Sequence, residues 1–290
     1  MKIRLSYTPP YPPKIFCLTW GGHIPIPFIA NELLLLDRNL LSKIKNAERL
    51  KDKADRYWIS EFSRVARNLN PVLTAYEGCL TRQPTKAEFQ EELELAASLL
   101  QRVYPTKNVI THSAELSASL FDALTRKLER KQIETQFLEQ AASLVAFRPS
   151  DKDLMPRLRE IIAMGEEAGL TSQSLVVPAL LSCLGEKKDG SQLSPGRRII
   201  KPRPNFTSQD AYNAISDLQY LEFLIAASAN PQGPVALCTT DRGLAEFWLA
   251  LSPAKAQRDS ENDILYKLKF DKQLMPRLTN DQLAVIRPLV

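Results

Sequence analysis

Glu32-Leu33-Leu34-Leu35-Leu36-Asp37-Arg38-Asn39-Leu40-Leu41 decides how the rest of the chain reads. Four consecutive leucines leave no polar gap at either helical or alternating spacing. A short all-apolar run with polar flanks fits a strand buried on both faces, as inside a parallel sheet. A buried helical segment has the same periodicity, and leucine is not the strongest strand former, so both readings stand on pattern alone. On the strand reading, Asp37 sits at the carboxyl end. In open α/β sheets that edge is where ligands and catalytic groups collect.

The chain has 290 residues, enough for one large domain or two small ones. No uncharged apolar run approaches the length of a membrane span. The start, Met1-Lys2-Ile3-Arg4-Leu5-Ser6, lacks the apolar core of a signal peptide, and the expected location is cytoplasmic. Cys17, Cys79, Cys183 and Cys238 are scattered without a Cys-x-x-Cys pair, which argues against a zinc site or a disulfide frame. His23 and His112 lie far apart and in no motif. Any bound metal is therefore expected on carboxylates, which favours Mg2+ or Mn2+. Ten glycines with no Gly-x-Gly-x-x-Gly and no Gly-Lys-Ser/Thr argue against ATP and dinucleotide enzymes.

Charge is uneven. Between 38 and 67 nine Lys or Arg stand against four carboxylates. Between 187 and 203 six stand against Asp189 alone: Lys187, Lys188, Arg197, Arg198, Lys201 and Arg203. Clusters of this kind can follow a phosphate backbone, and they are also what a solvated helix face or loop looks like.

In chain order, β-like runs are expected at 1–7 and 14–20, separated by the proline-rich 8–13. A helix follows Asp37 through Leu40, Leu41 and Ile44, and another covers 54–69. Asn70-Pro71 breaks it, and 71–78 reads as a short helix carrying Glu77. A turn at 81–84 leads into helices at 86–102, 113–130, 134–146 and 153–167. Gly169 ends the last of these, and 173–184 resumes. The Pro- and Gly-bounded 185–204 reads as a loop. From Thr207 or Ser208 as cap, with Asp210 in the first turn, a helix runs to about 229. A second buried-strand candidate, 235–240, ends in Asp241, with a helix at 243–251. A late edge strand at 264–270 and a helix at 280–286 close the chain. The order implies an α/β fold with a mostly parallel sheet, divided as 1–84, a helical insertion with basic loop at 85–206, and 207–290. The repeated Asp-Lys-x-Leu-Met-Pro-Arg-Leu at 151–158 and 271–278 has no similar surroundings and reads as chance.

Four acids stand out by context. Asp37 and Asp241 each end an apolar run, Glu77 sits on an otherwise uncharged helix, and Asp217 lies on the helix entering the second strand. If the two strands are parallel neighbours, Asp37 and Asp241 emerge on one edge. Carboxylates that converge repel one another, and divalent cations relieve this while activating water for phosphodiester cleavage. Each acid also has a plainer reading, Asp37 and Asp241 as helix caps and Glu77 and Asp217 as surface acids.

The order of these pieces resembles the PIN-like domain, a metal-dependent nuclease fold of many ribonucleases and toxins. The matching elements are Leu36-Asp37-Arg38-Asn39, the helical Glu77, the helical Asp217, and Thr239-Thr240-Asp241-Arg242, covering roughly 32–80 and 207–250. The resemblance implies a ribonuclease in which Asp37, Glu77, Asp217 and Asp241 hold Mg2+ or Mn2+. It places Asn39 and Thr239 behind them and lets Asp210 stand in for Asp217 if the register differs. The nucleic acid, RNA before DNA, would be met by Arg38, Arg197, Arg198, Lys201, Arg203 and Arg242. A homo-oligomer contact or a regulatory protein partner is assigned to the helical insertion, and no membrane is implied. The N-terminal arm and the helical middle have no counterpart in a minimal domain of that family. Two other readings stay open: an inactive PIN-like scaffold that binds a partner, and a haloacid-dehalogenase-like phosphatase. The latter wants Asp-x-Asp where this chain has Asp37-Arg38-Asn39.

Overall fold

In the computed structural model, which describes residues 8–77, 84–125, 128–170, 174–186, 194–229, 233–251, 255–258, 264–267 and 272–286, the leucine run is a strand. The N-terminal third contains β1 (Phe16–Thr19), β2 (Gly22–Ile24), β3 (Leu33–Leu36), α1 (Arg38–Lys45), α2 (Lys53–Val65), β4 (Asn68–Asn70) and α3 (Val72–Glu77). The middle contains α4 (Lys86–Val103), β5 (Asn108–Val109), α5 (Ala114–Thr125), α6 (Leu128–Ala146), α7 (Asp151–Glu167), α8 (Val176–Leu184) and α9 (Pro195–Ile200). The last part contains α10 (Ser208–Ser228), β6 (Val235–Thr239), α11 (Arg242–Leu251), β7 (Lys255–Arg258), β8 (Ile264–Lys267) and α12 (Asn280–Ile286).

The fold is α/β, a mixed six-stranded sheet in the order β2-β1-β6-β3-β4-β5 with helices on both faces. β3 runs parallel to β6, with Leu33 opposite Val235 and Leu36 opposite Cys238, and parallel to β4 on its other side. β1 is antiparallel to both β6 and β2, and Gly21, at φ +75°, makes the turn of that hairpin. The alternation of β3 now has a physical account. Leu34 and Leu36 enter one core with Trp58 and Phe62 of α2 and Leu100 of α4, while Leu35 enters the other with Leu73, Leu221 and Leu237. Each face of the strand meets a helical layer, so every position is apolar.

Several expectations are corrected. The second run of the expected arm is β1, and it lies inside the sheet beside β6. The helix expected to 69 ends at Val65, because Asn68–Asn70 pairs with β3 as β4. A break is expected between 130 and 134, and α6 is helical through it from Leu128. The expected loop at 185–204 contains α9, whose Pro195, Gly196, Ile199 and Ile200 are buried. α9 lies directly on α8, a helix with every residue buried, as a helix apolar all round but for Ser182 must be. Gly196 makes that approach possible, since a Cβ there would lie 2.1 Å from the Ala179 carbonyl oxygen. The late strand, β8, pairs with β7 in a separate two-stranded ribbon. The run at 1–7 and the turn residues 81–83 lie outside the described residues.

The segment 85–206 supplies β5 to the sheet, and its α6, α7, α8 and α9 share one hydrophobic cluster with α10 and α11. The two Asp-Lys-x-Leu-Met-Pro-Arg-Leu copies fold differently, one within α7 and the other as turns. Arg277 of the second copy pairs with Asp151 of the first at 2.7 Å. Among the described residues no helix is long and apolar enough to cross a membrane.

Candidate functional site

β3 lies between β4, which follows it in sequence, and β6, which comes much later, so the chain leaves β3 in opposite directions across the sheet. Such a switch point opens a crevice beyond the carboxyl ends of the two strands. Asp37 sits there. Its backbone N–H donates to the Cys238 carbonyl at 3.1 Å. Its carboxylate, 3% exposed, accepts at Oδ1 from the Leu40 N–H at 2.6 Å and at Oδ2 from the Thr239 hydroxyl. Thr239 Oγ1 in turn accepts from the Asp241 N–H at 2.9 Å. Asp241 Oδ1 accepts from the Leu244 N–H at 3.0 Å. One buried hydroxyl thus ties the two strand-end aspartates together.

Both aspartates also act as helix caps, Asp37 for α1 and Asp241 for the first turn of α11. The two helix N-termini carry partial positive charge toward this edge, which helps two neighbouring carboxylates coexist. Gly243 leaves room beneath them, because a Cβ there would stand 3.0 Å from Asp241 Oδ1 and 2.9 Å from Arg198 Cβ.

Glu77 is the last residue of α3, and its side chain lies outside the described residues. α3 starts just beyond the carboxyl end of β4 and packs on α10, the helix of Asp217. Tyr76 donates its hydroxyl to Gln219 Oε1 at 2.6 Å, and Tyr220 donates to the Leu73 carbonyl at 3.4 Å. Asp217 is half-buried midway along α10. Among the described residues, no three or more His, Cys, Asp or Glu are grouped so as to hold a metal ion. Asp210 is occupied elsewhere. It closes a capping box with Thr207 and receives two arms of Arg203, Nε at 3.1 Å and Nη2 at 2.7 Å.

The basic residues divide. Arg197 is turned inward, its side chain 14% exposed, donating to the carbonyls of Val145 (2.7 Å) and Ala146 (3.4 Å) and lying 3.2 Å from Glu186. Arg198 and Arg242 share Glu246, at 2.6 and 2.7 Å. Lys201 is exposed at the end of α9 with φ 50°, Arg203 is exposed, and Asn39 is exposed on the first turn of α1. Arg38 is half-buried and borders a groove between α1 and α4. Lys187 and Lys188 lie outside the described residues.

A polar cluster that the sequence reading missed lies behind α3 and α10. Lys131 of α6 is 5% exposed, with Nζ 4.0 Å from the Tyr212 ring centre, 5.3 Å from that of Tyr76 and 3.2 Å from Ser216 Oγ. The aromatic faces and the hydroxyl offset part of its lost hydration. Next to it Arg130 pairs with Glu134 (3.1 Å) and Glu222 (3.4 Å). Burial, and then the nearby Glu222, push the Glu134 carboxyl up, against the pull of Arg130 and Ser174. In sequence, Arg130-Lys131-x-x-Glu134 looks like a solvated pair one helical turn apart, and only the packing of α10 over it reveals the burial. His112, its pKa lowered by burial, has an Nδ1 without a hydrogen-bond partner among the described residues. Cys17, Cys183 and Cys238 are buried free thiols, and Cys17 and Cys238 face each other across β1 and β6 at 3.2 Å.

No protein-family model, curated protein or solved structure matches this chain.

Proposed function

We propose that this chain is a metal-dependent nuclease acting on single-stranded RNA, with its site at the carboxyl edge between β3 and β6. The observation that carries the reading is the pair Asp37 and Asp241, held by Thr239 where the strand order reverses. Carboxylates with a threonine hydroxyl, and no histidine beside them among the described residues, are a donor set suited to Mg2+ or Mn2+. In this proposal Asp37 and Asp241 hold the cation, and Glu77 and Asp217 complete the set. Thr239 fixes the Asp37 carboxylate, and Asn39 stands beside it. The cation would supply an activated water and charge neutralisation at the leaving oxygen. The surface cations Arg38, Lys201, Arg203 and Arg242 are assigned to the phosphate backbone. Arg197, turned inward on Glu186, is assigned to folding, and so is Arg198, whose side chain is 31% exposed against 70% for Arg242 on the same Glu246.

A second reading, an inactive scaffold of the same fold, is favoured by one specific observation. Both aspartates serve as helix caps through Oδ1, with no third described acid grouped with them.

One experiment separates the two. Single-stranded RNA and DNA are incubated with the protein in magnesium, manganese or chelator, alongside thermal melts with and without metal. The nuclease reading expects cleavage that chelator abolishes and a rise in Tm with metal. Asp37→Asn and Asp241→Asn keep the capping ability, since Asn caps as well as Asp. Their cleavage is expected to fall at least about 100-fold while the chelated Tm is kept or raised, since carboxylate repulsion is relieved. Wild-type protein with no cleavage and no metal-dependent Tm would overturn the nuclease reading in favour of the scaffold.

A further inference from the structure

A groove of about 450 Å³ runs between α1 and α4, with Thr74 of α3 also in its lining. Its α1 wall is the helical row Arg38, Leu41, Lys45, and its α4 wall is the row Leu95, Leu99, Arg102. Both rows follow helical spacing, so each presents one continuous face. The floor between the cations is mostly apolar, with Ser42 and Thr74 also in the lining, and Leu95 leaves 58% of its surface exposed, in a helix whose other apolar residues mostly turn inward. The rims are cationic. Lys45 and Arg102 are exposed and form no ion pair with any described residue, and Glu92 is the one carboxylate of the lining. Arg38 immediately follows Asp37, so the groove opens at the carboxyl edge described above. Lys45 lies seven positions beyond Arg38, about 10 Å along the helix at 1.5 Å per residue.

A ligand complementary to this groove carries negative charge at intervals along its length and apolar faces to one side. A single strand offers both, because its unstacked bases can turn to an apolar lining while its phosphates meet the cations, whereas a duplex keeps its bases stacked inside. We infer that the α1–α4 groove binds one strand of nucleic acid, phosphates on Arg38, Lys45 and Arg102 and bases against Leu95 and Leu99, and leads it to Asp37. The direction toward Asp37 rests on the nuclease reading. The binding itself does not. The groove replaces the inward-facing Arg197 region as the principal backbone track.

The test measures binding apart from cleavage. Anisotropy of a short labelled single-stranded RNA is followed in chelator while salt is raised from about 50 to about 200 mM. Lys45→Ser/Arg102→Ser removes two exposed cations, and Leu95→Glu places a charge on the floor without touching the core. The double variant is expected to bind about tenfold more weakly, with a salt slope shallower by about 1.4, two phosphates at about 0.7 each. Leu95→Glu is expected to weaken binding at every salt concentration. Unchanged affinity and slope in the double variant overturn the inference, as does wild-type protein that does not bind the strand. Equal binding of duplex RNA, or displacement of the strand by a polyglutamate peptide at matched charge, would overturn it in favour of a plain polyanion surface. Wild-type protein that binds with the expected slope but does not cleave in magnesium supports the groove and sinks the nuclease reading alone. Cleavage and binding indifferent to all three substitutions sink the groove alone.

Discussion

Thr239 donates its hydroxyl to the Asp37 carboxylate across the boundary between β6 and β3, while the same oxygen accepts from the Asp241 N–H. Thr239 is fully buried, so no water can replace either bond. A β-branched residue suits the strand end, and its hydroxyl is what joins two segments 200 residues apart in sequence.

Replacing that hydroxyl by a methyl group tests the joint. Thr239→Val keeps shape and strand preference but removes the bonds that Thr239 makes to Asp37 Oδ2 and to the Asp241 N–H. The expected cost is about 1–3 kcal/mol, the usual penalty for orphaned buried polar groups. Urea unfolding reads it as a lower midpoint at unchanged slope. Thr239→Ser should recover most of the loss, and a Val variant as stable as wild type would show that the joint contributes nothing.

Arg197 and Arg203 both belong to the basic stretch, and the structure separates them. Arg197 reaches the Val145 and Ala146 carbonyls and, with Arg148, flanks the buried Glu186. Arg203 sits on the surface with Asp210. Arg197→Gln is expected to lose about 2–4 kcal/mol, because Glu186 keeps its charge with half its partners. Arg203→Gln should stay within about 1 kcal/mol of wild type. Denaturation of the two variants side by side gives the contrast, and similar losses would refute the inward placement of Arg197.

The Asp210 carboxyl gives a pH dependence of definite sign. Burial pushes its pKa up, and hydrogen bonds from Arg203 and Thr207 more than reverse this, so it lies below the ordinary aspartate value. A depressed carboxylate stabilises the fold above the unfolded-state pKa and loses that contribution as pH falls through the folded one. Asp210→Asn, which can still serve the cap, should therefore melt lower than wild type near neutral pH. The gap should close on acidification below about pH 4, the ordinary aspartate value. Melts at a series of pH values test this, and a gap that widens toward acid would contradict it.

Local sequence carried much of the fold. The unbroken Leu33–Leu36 run implied a strand covered on both faces, and the structure supplies two cores for it. The apolar Val235–Thr239 run implied a second such strand, and it is β6, the parallel neighbour. Thr207 with Asp210 three residues on announced the start of α10, and both halves of the capping box form. These signals are legible because each rests on residues a turn or a strand apart.

Other features depended on partners far away in the chain. Asn68-Leu69 reads as the end of the preceding helix, and Asn68–Asn70 is a strand because the edge of β3 offers it a ladder. α9 looked like a basic loop, and it is helical and buried because Gly196 fits against Ala179 and Ser182 of α8. Lys131 reads as a surface lysine until Tyr76 and Tyr212 close over it. Sequence periodicity records that a face is apolar or that an end is capped. Which distant surface covers that face is settled by packing, and that choice set Asp37 beside Thr239, turned Arg197 inward and left the α1–α4 groove open.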